Sequence, residues 1–369
     1  MRKTLLDPAA LCAGALFFLL IPFSSAAAQG ADEGLAIALG TAIPALFPFF
    51  TVSGLMVSTG AATALGRLFG PLLWRLYSLP GAAAGPLVLG LTGGYPVGAR
   101  AACELYAQGE LTQDEAERLL GFCNNTGPAF IIGVCGAGLR GSVRDGVTLY
   151  LIHIAAALMT GLAMTRSPSR HTRPPARPLH QTARPPFAAC FVGAVENAGL
   201  SCLKITGFIM LFSMLRRVLE STGALAALSV LATPFVALIG APAEAAQPLT
   251  VGLLEMTSGL VLLPEAAGRA VLPAMSLLLG MGGLSILCQT LAVVSGSGLS
   301  LRRLMCGKLL HGCAAAALTV LWQAAAPRRA PAMAAYGVMQ FCPPAASAAL
   351  LLLSILLTIC TGKRRRDTL

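Results

Sequence analysis

The chain has 369 residues, of which 56% are hydrophobic and only 11% charged, with a mean hydropathy of +0.76. A soluble globular domain carries roughly a quarter of its residues as charge, so this composition excludes one and describes a polytopic, multi-pass protein of the cell membrane. The net charge of +11 does not point to nucleic acid, because Lys and Arg gather in a few loops and tails rather than along one amphipathic face; retention of cationic loops on the cytoplasmic side accounts for it.

In chain order, Met1-Arg2-Lys3 leads into an apolar stretch over residues 11–23 that ends in Ser24-Ser25-Ala26-Ala27-Ala28-Gln29. A cleavable signal peptide and a retained first helix both fit. Retention is favoured, since polytopic proteins commonly begin with such an anchor. The next apolar run, residues 34–60, contains Pro44 and Pro48, which remove helical hydrogen bonds and predict a kink. Residues 64–80 mix Arg67, Trp74, Arg75 and Tyr77 with leucines, a composition for a helix lying in the interface. Residues 81–98 are apolar but glycine-rich up to Tyr95-Pro96, too interrupted for a plain spanning helix.

Residues 99–122 change character. Arg100, Glu104, Glu110, Asp114, Glu115, Glu117 and Arg118 fall here, and Thr112-Gln113-Asp114-Glu115 has the form of a capping box. The segment reads as a helical hairpin at the water boundary, its acidic side a solvated face. Residues 121–139 return to the apolar phase through Asn124-Asn125-Thr126-Gly127-Pro128, and 147–164 read as an ordinary span. Residues 165–186 hold five arginines, many prolines and no acid; such a linker cannot bury enough apolar surface to fold alone. By the positive-inside bias it is cytoplasmic, as are the Met1-Arg2-Lys3 start and the Lys363-Arg364-Arg365-Arg366 tail.

The second half repeats the plan loosely. Residues 191–219 are apolar but include Glu196, Asn197 and Lys204, which either line a path or pair within the bundle. Residues 225–240 read as a span. Residues 248–263 break at Glu255-Met256-Thr257-Ser258-Gly259, and 271–294 break at Gly282-Gly283-Leu284-Ser285, running to Gln289-Thr290. Residues 305–322 and 345–359 complete the set. In each half the two breaks lie roughly thirty residues apart, a pattern of an internal repeat.

These breaks carry the functional reading. Unpaired backbone is costly in hydrocarbon and survives only where protein buries it or it lines a polar cavity; matched breaks in two halves are the sequence mark of a transporter site. Glu255 is the sharpest candidate, because an ionisable residue in an apolar segment is costly unless it faces a cavity or partner. The competing reading leaves it solvated at the water boundary. Asn124, Asn125 and Thr126 could bind a polar solute with the freed backbone, or cap a helix at the membrane surface. Gln289 and Thr290, with Thr257 and Ser258, form the opposite wall, or simply bond between helices. Gly93, Gly94 and Pro96 supply backbone shape. Tyr95 could touch a solute but reads slightly better as an interfacial anchor.

Enzymatic signatures are missing from the sequence: no Gly-x-Ser-x-Gly elbow, no phosphate-binding Gly-x4-Gly-Lys-Ser/Thr loop and no His-Glu-x-x-His occurs. Most of the 11 cysteines lie in apolar runs, where a thiol behaves as a small hydrophobe. The four histidines, His153, His171, His180 and His311, have no ligand spacing. No enzyme activity, resident cofactor or metal is expected.

Ile43-Pro44-Ala45-Leu46-Phe47-Pro48-Phe49-Phe50, Gly93-Gly94-Tyr95-Pro96-Val97-Gly98-Ala99, the acidic hairpin and Cys123-Asn124-Asn125-Thr126-Gly127-Pro128 closely resemble the YlbJ family of sporulation integral membrane proteins. The second half agrees through Glu255-Met256-Thr257-Ser258-Gly259 and the run from Gly282 to Gln289. The resemblance covers residues 34–325. It implies the nucleoside-recognition or Gate domain, also seen in spore maturation proteins, concentrative nucleoside transporters and the ferrous-iron transporter membrane domain. It further implies a protein of a spore-forming bacterium, needed for normal spore cortex formation, that moves a solute.

The expected architecture is an all-α bundle of about eight to ten membrane segments, with two Gate-type repeats of broken or re-entrant helices. Residues 1–30 form the anchor, 31–165 the first repeat, 166–187 the basic linker, 188–326 the second repeat and 327–369 a last helix with its tail. The expected site joins Gly94, Tyr95, Asn124, Asn125 and Thr126 to Glu255, Thr257, Ser258, Gln289 and Thr290 around a small polar solute. H⁺ through Glu255 and Na⁺ through freed carbonyls both stay open as coupling ions. The partners are the lipid bilayer, the solute, and a second copy of the chain or spore-envelope proteins; no nucleic acid is expected. The alternative is a non-transporting scaffold of the spore envelope.

Overall fold

The computed structural model describes residues 8–165, 186–238, 240–266 and 270–325. The basic linker, the N-terminal Met1-Arg2-Lys3, the last apolar segment and the Lys/Arg tail lie outside those residues. All the secondary structure among the described residues is helical, as backbone in hydrocarbon requires.

The chain opens with α1 (Pro8–Leu20) and α2 (Ser24–Ile37), bent by 102° where they meet. α2 continues without a stop through a wide π turn, Ala38–Ala42, into α3 (Ile43–Ser58). The expected proline kink takes this form for a steric reason. The Pro44 ring would collide with the carbonyl four residues back, and that residue, Gly40, sits inside the widened turn. α4 (Ala61–Tyr77) is the amphipathic helix, and its chain direction reverses at Ser78, which is left-handed with φ 50°.

From here the two halves run in parallel. In the first, a short 3₁₀ turn, Gly81–Ala83, precedes α5 (Ala84–Gly93), a break, α6 (Val97–Ala107) and α7 (Gln113–Cys123). A second break leads to a π-wound segment, Ala129–Leu139, and then the long α8 (Val143–Met164). The second half starts with α9 (Phe187–Ser221) and α10 (Ala224–Leu238), and repeats the 3₁₀ turn at Ala243–Ala245. α11 (Ala246–Leu254), a break, α12 (Met256–Ala266), α13 (Val271–Met281), a break, α14 (Gly283–Val294) and the long α15 (Arg302–Ala325) follow. Pro80 and Pro242 stand ahead of the matching 3₁₀ turns, both extended. Each half is thus a helical hairpin, a broken helix and a closing span.

Among the described residues four segments are long and apolar enough to cross a membrane, Val143–Met164, Phe187–Ser221, the broken Val271–Val294 and Arg302–Ala325, and the bent pair of α1 and α2 makes a fifth if it counts as one span. The expected set of segments therefore resolves into a few full spans and several half-length pieces, among them Gly81–Gly93 and Ala129–Leu139.

The halves interlock. Phe130, Ile131 and Val134 of the first half share one apolar cluster with Leu260, Met275 and Leu278 of the second. A second cluster joins Leu119, Leu120 and Phe122 of α7 to Leu304 of α15. A third, Ala38, Phe50, Ile205 and Ile209, seals α2 and α3 on α9. At one end of that seam Glu33 pairs with Arg216 and Arg217, which also hold Glu220.

The acidic hairpin is built as its sequence suggests at its tip. Thr112 accepts from the Glu115 amide at 3.3 Å while Glu115 accepts from the Thr112 amide at 2.8 Å, the reciprocal capping box. Its acidic side is not simply solvated, however. Asp114 pairs with Arg118 and Arg303, and Glu117 accepts from the Ser300 amide at 2.9 Å, so the hairpin docks onto the approach to α15.

Candidate functional site

The first hairpin turns at Gly94, whose φ of +80° is open to glycine alone at low cost, followed by a cis Tyr95–Pro96 bond. Its two arms clasp the end of α7. A β-carbon on Gly90 would lie 1.5 Å from the Cys123 carbonyl oxygen, and one on Gly98 2.0 Å from it. In the second hairpin the arms press on each other, since a β-carbon on Gly259 would lie 2.2 Å from the Gly252 Cα, and the break of the second half sits against them, since one on Gly283 would lie 2.6 Å from the Gly252 carbonyl oxygen. These seats bring both hairpin tips against both broken helices.

The break after α7 spans Asn124 to Gly127, and Pro128 already has helical dihedrals. Asn124 is extended (φ −108°, ψ 93°) and its amide donates to the Thr290 hydroxyl at 2.9 Å, tying first half to second. Asn125 donates to the Phe122 carbonyl at 2.8 Å, and Thr126 to the Leu279 carbonyl at 3.0 Å. Asn124, Asn125 and Thr126 are all buried, so the reading of a cap at the membrane surface does not hold. The side-chain oxygens of Asn124 and Asn125 have no hydrogen-bond partner. Buried polar atoms of this kind call for an explanation such as a solute or water.

In the second half the breaks are narrower than the sequence suggests. Glu255 alone leaves the helical conformation (φ −135°, ψ 106°), and Met256 to Gly259 already belong to α12. Its carboxylate explains why. Oε1 accepts from the Thr257 amide at 3.1 Å and Oε2 from the Ser258 amide at 2.6 Å, so the acid caps the helix it begins, where the dipole favours negative charge. Glu255 is only 1% exposed, which removes the solvated reading. The other break is just Gly282 and Gly283, with φ of +82° and +66°. Ser285, Gln289 and Thr290 lie on intact α14, with Gln289 directed to Ser285 at 3.4 Å.

A cavity of about 50 Å³ lies where these parts meet. Tyr95, Thr126, Gly127, Glu255, Thr257 and Gln289 line its polar side, and Ala42 of the π turn, Leu46 of α3 and Ile205 and Ile209 of α9 face it as an apolar wall. Asn124, Asn125, Ser258, Thr290 and Gly94 stand behind that lining as supports. Tyr95 is no interfacial anchor: it is 6% exposed, with its hydroxyl 3.3 Å from the Leu279 carbonyl. Glu196, Asn197 and Lys204 face outward on α9 and neither line the cavity nor form an ion pair among the described residues.

Of three buried basic residues, Lys308 escapes the sequence reading and His153 and His311 enter it only as histidines without ligand spacing. Lys308 on α15 donates to the Asn124 carbonyl at 2.8 Å, and His153 of α8 meets His311 of α15 with ring centres 5.2 Å apart. The signal was available, since an ionisable residue in an apolar span is a functional candidate by default. Lys308 and His311 meet that test as fully as Glu255 does.

Two re-entrant hairpins and two broken helices closing on a central cavity define a multi-pass membrane protein with a transporter-like fold. The Gate family model, nucleoside recognition, matches residues 39–167. The chain is 29% identical over 321 residues to the sporulation integral membrane protein YlbJ of Bacillus subtilis (strain 168), covering 82% of this chain and 79% of that relative. The motifs that resemble the YlbJ family are thus part of a likeness running through both halves. Among solved structures, CNTnw in an inward-facing substrate-bound state shares the fold with a TM-score of 0.50 at 15% identity, over 87% of each chain. A CNTnw variant in an outward-facing state matches with a TM-score of 0.51 at 15% identity, over 87% of this chain and 88% of that one.

Proposed function

We propose that the chain carries a small polar solute across the membrane, exposing its central cavity to one side at a time. One observation carries the reading: both hairpin tips and both broken helices converge on the same cavity, with Thr126, Glu255, Thr257 and Gln289 in its wall. Half-helix ends and unwound backbone are the general means by which transporters hold polar or ionic cargo at the midplane. The apolar wall from the π turn, α3 and α9 meets the polar block along the cavity, and parting of that boundary would open it. At about 50 Å³ the cavity holds a few waters; a larger solute enters only as the boundary opens. That CNTnw shares this fold in both inward- and outward-facing states supports alternation. The likeness to a sporulation protein supports placing the carrier in a spore-forming cell, where its role is in forming the spore cortex.

The test uses Glu255→Gln and Asn125→Ala, each checked for normal membrane insertion. Purified wild-type protein is screened by thermal stabilisation against nucleosides, amino acids and metal ions, since a ligand at about a hundred times its Kd stabilises the folded state by about 2.7 kcal/mol. One chemical class is expected to stabilise the wild type, with the effect weakened in both variants and with sporulation impaired. If sporulation and uptake of the stabilising solute survive both changes, the carrier reading falls and a scaffold of the spore envelope replaces it.

A further inference from the structure

Lys308 is 3% exposed, its ammonium 2.8 Å from the Asn124 carbonyl oxygen and 4.7 Å from the centre of the Tyr95 ring. Among the described residues it forms no ion pair. The ionisable groups in its surroundings are the Cys123 thiol, His311 one turn along α15, and His153 from α8. The two imidazoles stand edge to face, and none of their four ring nitrogens has a hydrogen-bond partner. The buried Lys308 amine is therefore surrounded by a carbonyl, an aromatic face, a thiol and two imidazoles, with no carboxylate paired to it among the described residues.

An ammonium and an alkali-metal ion ask the same of a protein: carbonyl dipoles and π faces aimed at positive charge in a dry place. A broken membrane helix offers its freed carbonyls to a coupling cation. The Asn124 carbonyl is freed in that way, because its residue ends α7 in an extended conformation. We propose that Lys308 is a built-in cation, its tethered ammonium filling at the first broken helix the place a Na⁺ would take. It holds the hairpin tip, the break and α15 together with no bound metal ion. The inference deepens the carrier reading and rests on it for its meaning in transport: of the two coupling ions open from the sequence, it removes Na⁺ at this break.

The test needs no knowledge of the solute, so its outcome is separate from that of the uptake experiment. Full-length protein in detergent is compared in NaCl and in choline chloride at equal ionic strength, by thermal unfolding and by equilibrium dialysis with radioactive sodium. Wild type is expected to bind no sodium stoichiometrically and to unfold at the same temperature in both salts. Lys308→Ala, which frees the carbonyl and opens space beside it, is expected to unfold earlier in choline. It should regain about 2 °C in sodium at about ten times the site's Kd. Saturable one-to-one sodium binding by the wild type overturns the proposal, as does a folded Lys308→Ala protein indifferent to sodium. Should that variant fail to fold, the wild-type dialysis alone decides.

Discussion

Gly98→Ala is the sharpest test of how the first hairpin is seated. The new β-carbon would lie 2.0 Å from the Cys123 carbonyl oxygen and 2.8 Å from the Gly90 Cα. Both obstacles are backbone, so no side-chain rotation relieves them, and α6 must retreat by about 1 Å or more to reach a tolerable contact. Overpacking of this kind costs about 1–3 kcal/mol. The retreat also loosens the buried Tyr95 bond to Leu279, worth about 1 kcal/mol. Against this stands the gain of about 1 kcal/mol in helix propensity on replacing glycine by alanine, leaving a net loss of about 1–3 kcal/mol. Gly199→Ala on α9 is the control, because a β-carbon there meets nothing within 4 Å and only the propensity gain remains. In thermal unfolding of the purified proteins, Gly98→Ala should melt below wild type and Gly199→Ala at or above it. A Gly98→Ala protein as stable as wild type would show that the hairpin does not clasp the end of α7, and the site geometry would fall with it.

Two further outcomes follow from the same contacts. Thr290→Val removes the acceptor of the buried Asn124 amide and should cost about 1–3 kcal/mol, whereas Thr290→Ser keeps the hydroxyl and most of the stability; equal losses would show the hydroxyl is irrelevant. Burial pushes the Asp114 carboxyl up, but the hydrogen bonds and charges of Arg303 and Arg118 more than offset this and hold it below the ordinary carboxylate value. A folded-state value held low contributes stability above the unfolded one, near pH 4, and loses it as pH falls through the folded value. Amide exchange over Gln113–Cys123 should therefore stay slow down to about pH 4 and rise below it. Asp114→Asn should exchange faster already at neutral pH, and unchanged exchange in that variant would remove the ion pairs from the docking of α7.

The breaks were legible because few residue types can make them. Gly94, the Asn124 to Pro128 run and Gly282-Gly283 stand out in apolar sequence, and all lie where the helices stop. Their exact width was not legible, since Met256 to Gly259 look like a loop in sequence but fold as helix once Glu255 satisfies the Thr257 and Ser258 amides. What stayed hidden was facing. Leu200, Leu203, Val230 and Leu231 are exposed and as apolar as the core, because lipid and interior ask for the same side chains. Periodicity thus could not tell that Tyr95 points inward, that Glu196 and Lys204 point out, or that His153 and His311, far apart in the chain, meet. The YlbJ motifs lie at the level of the central cavity but carry no sign of Lys308.

α15 bears on both broken helices at once. A β-carbon on Gly307 would strike the Gly121 carbonyl oxygen of α7 at 2.1 Å, and one on Gly280 of α13 would meet the Gly312 Cα at 2.5 Å. With a single rod keyed into the two halves five residues apart, neither break can travel unless the other travels with it. On the carrier reading proposed above, the two hairpins and two broken helices then form one carriage, and its rail is the greasy face of the turn Ala38–Ala42, α3 and α9. If the chain is the proposed carrier, a covalent tie between α7 and α15 should leave solute uptake unchanged, while one from α3 to the segment Ala129–Leu139 should stop it.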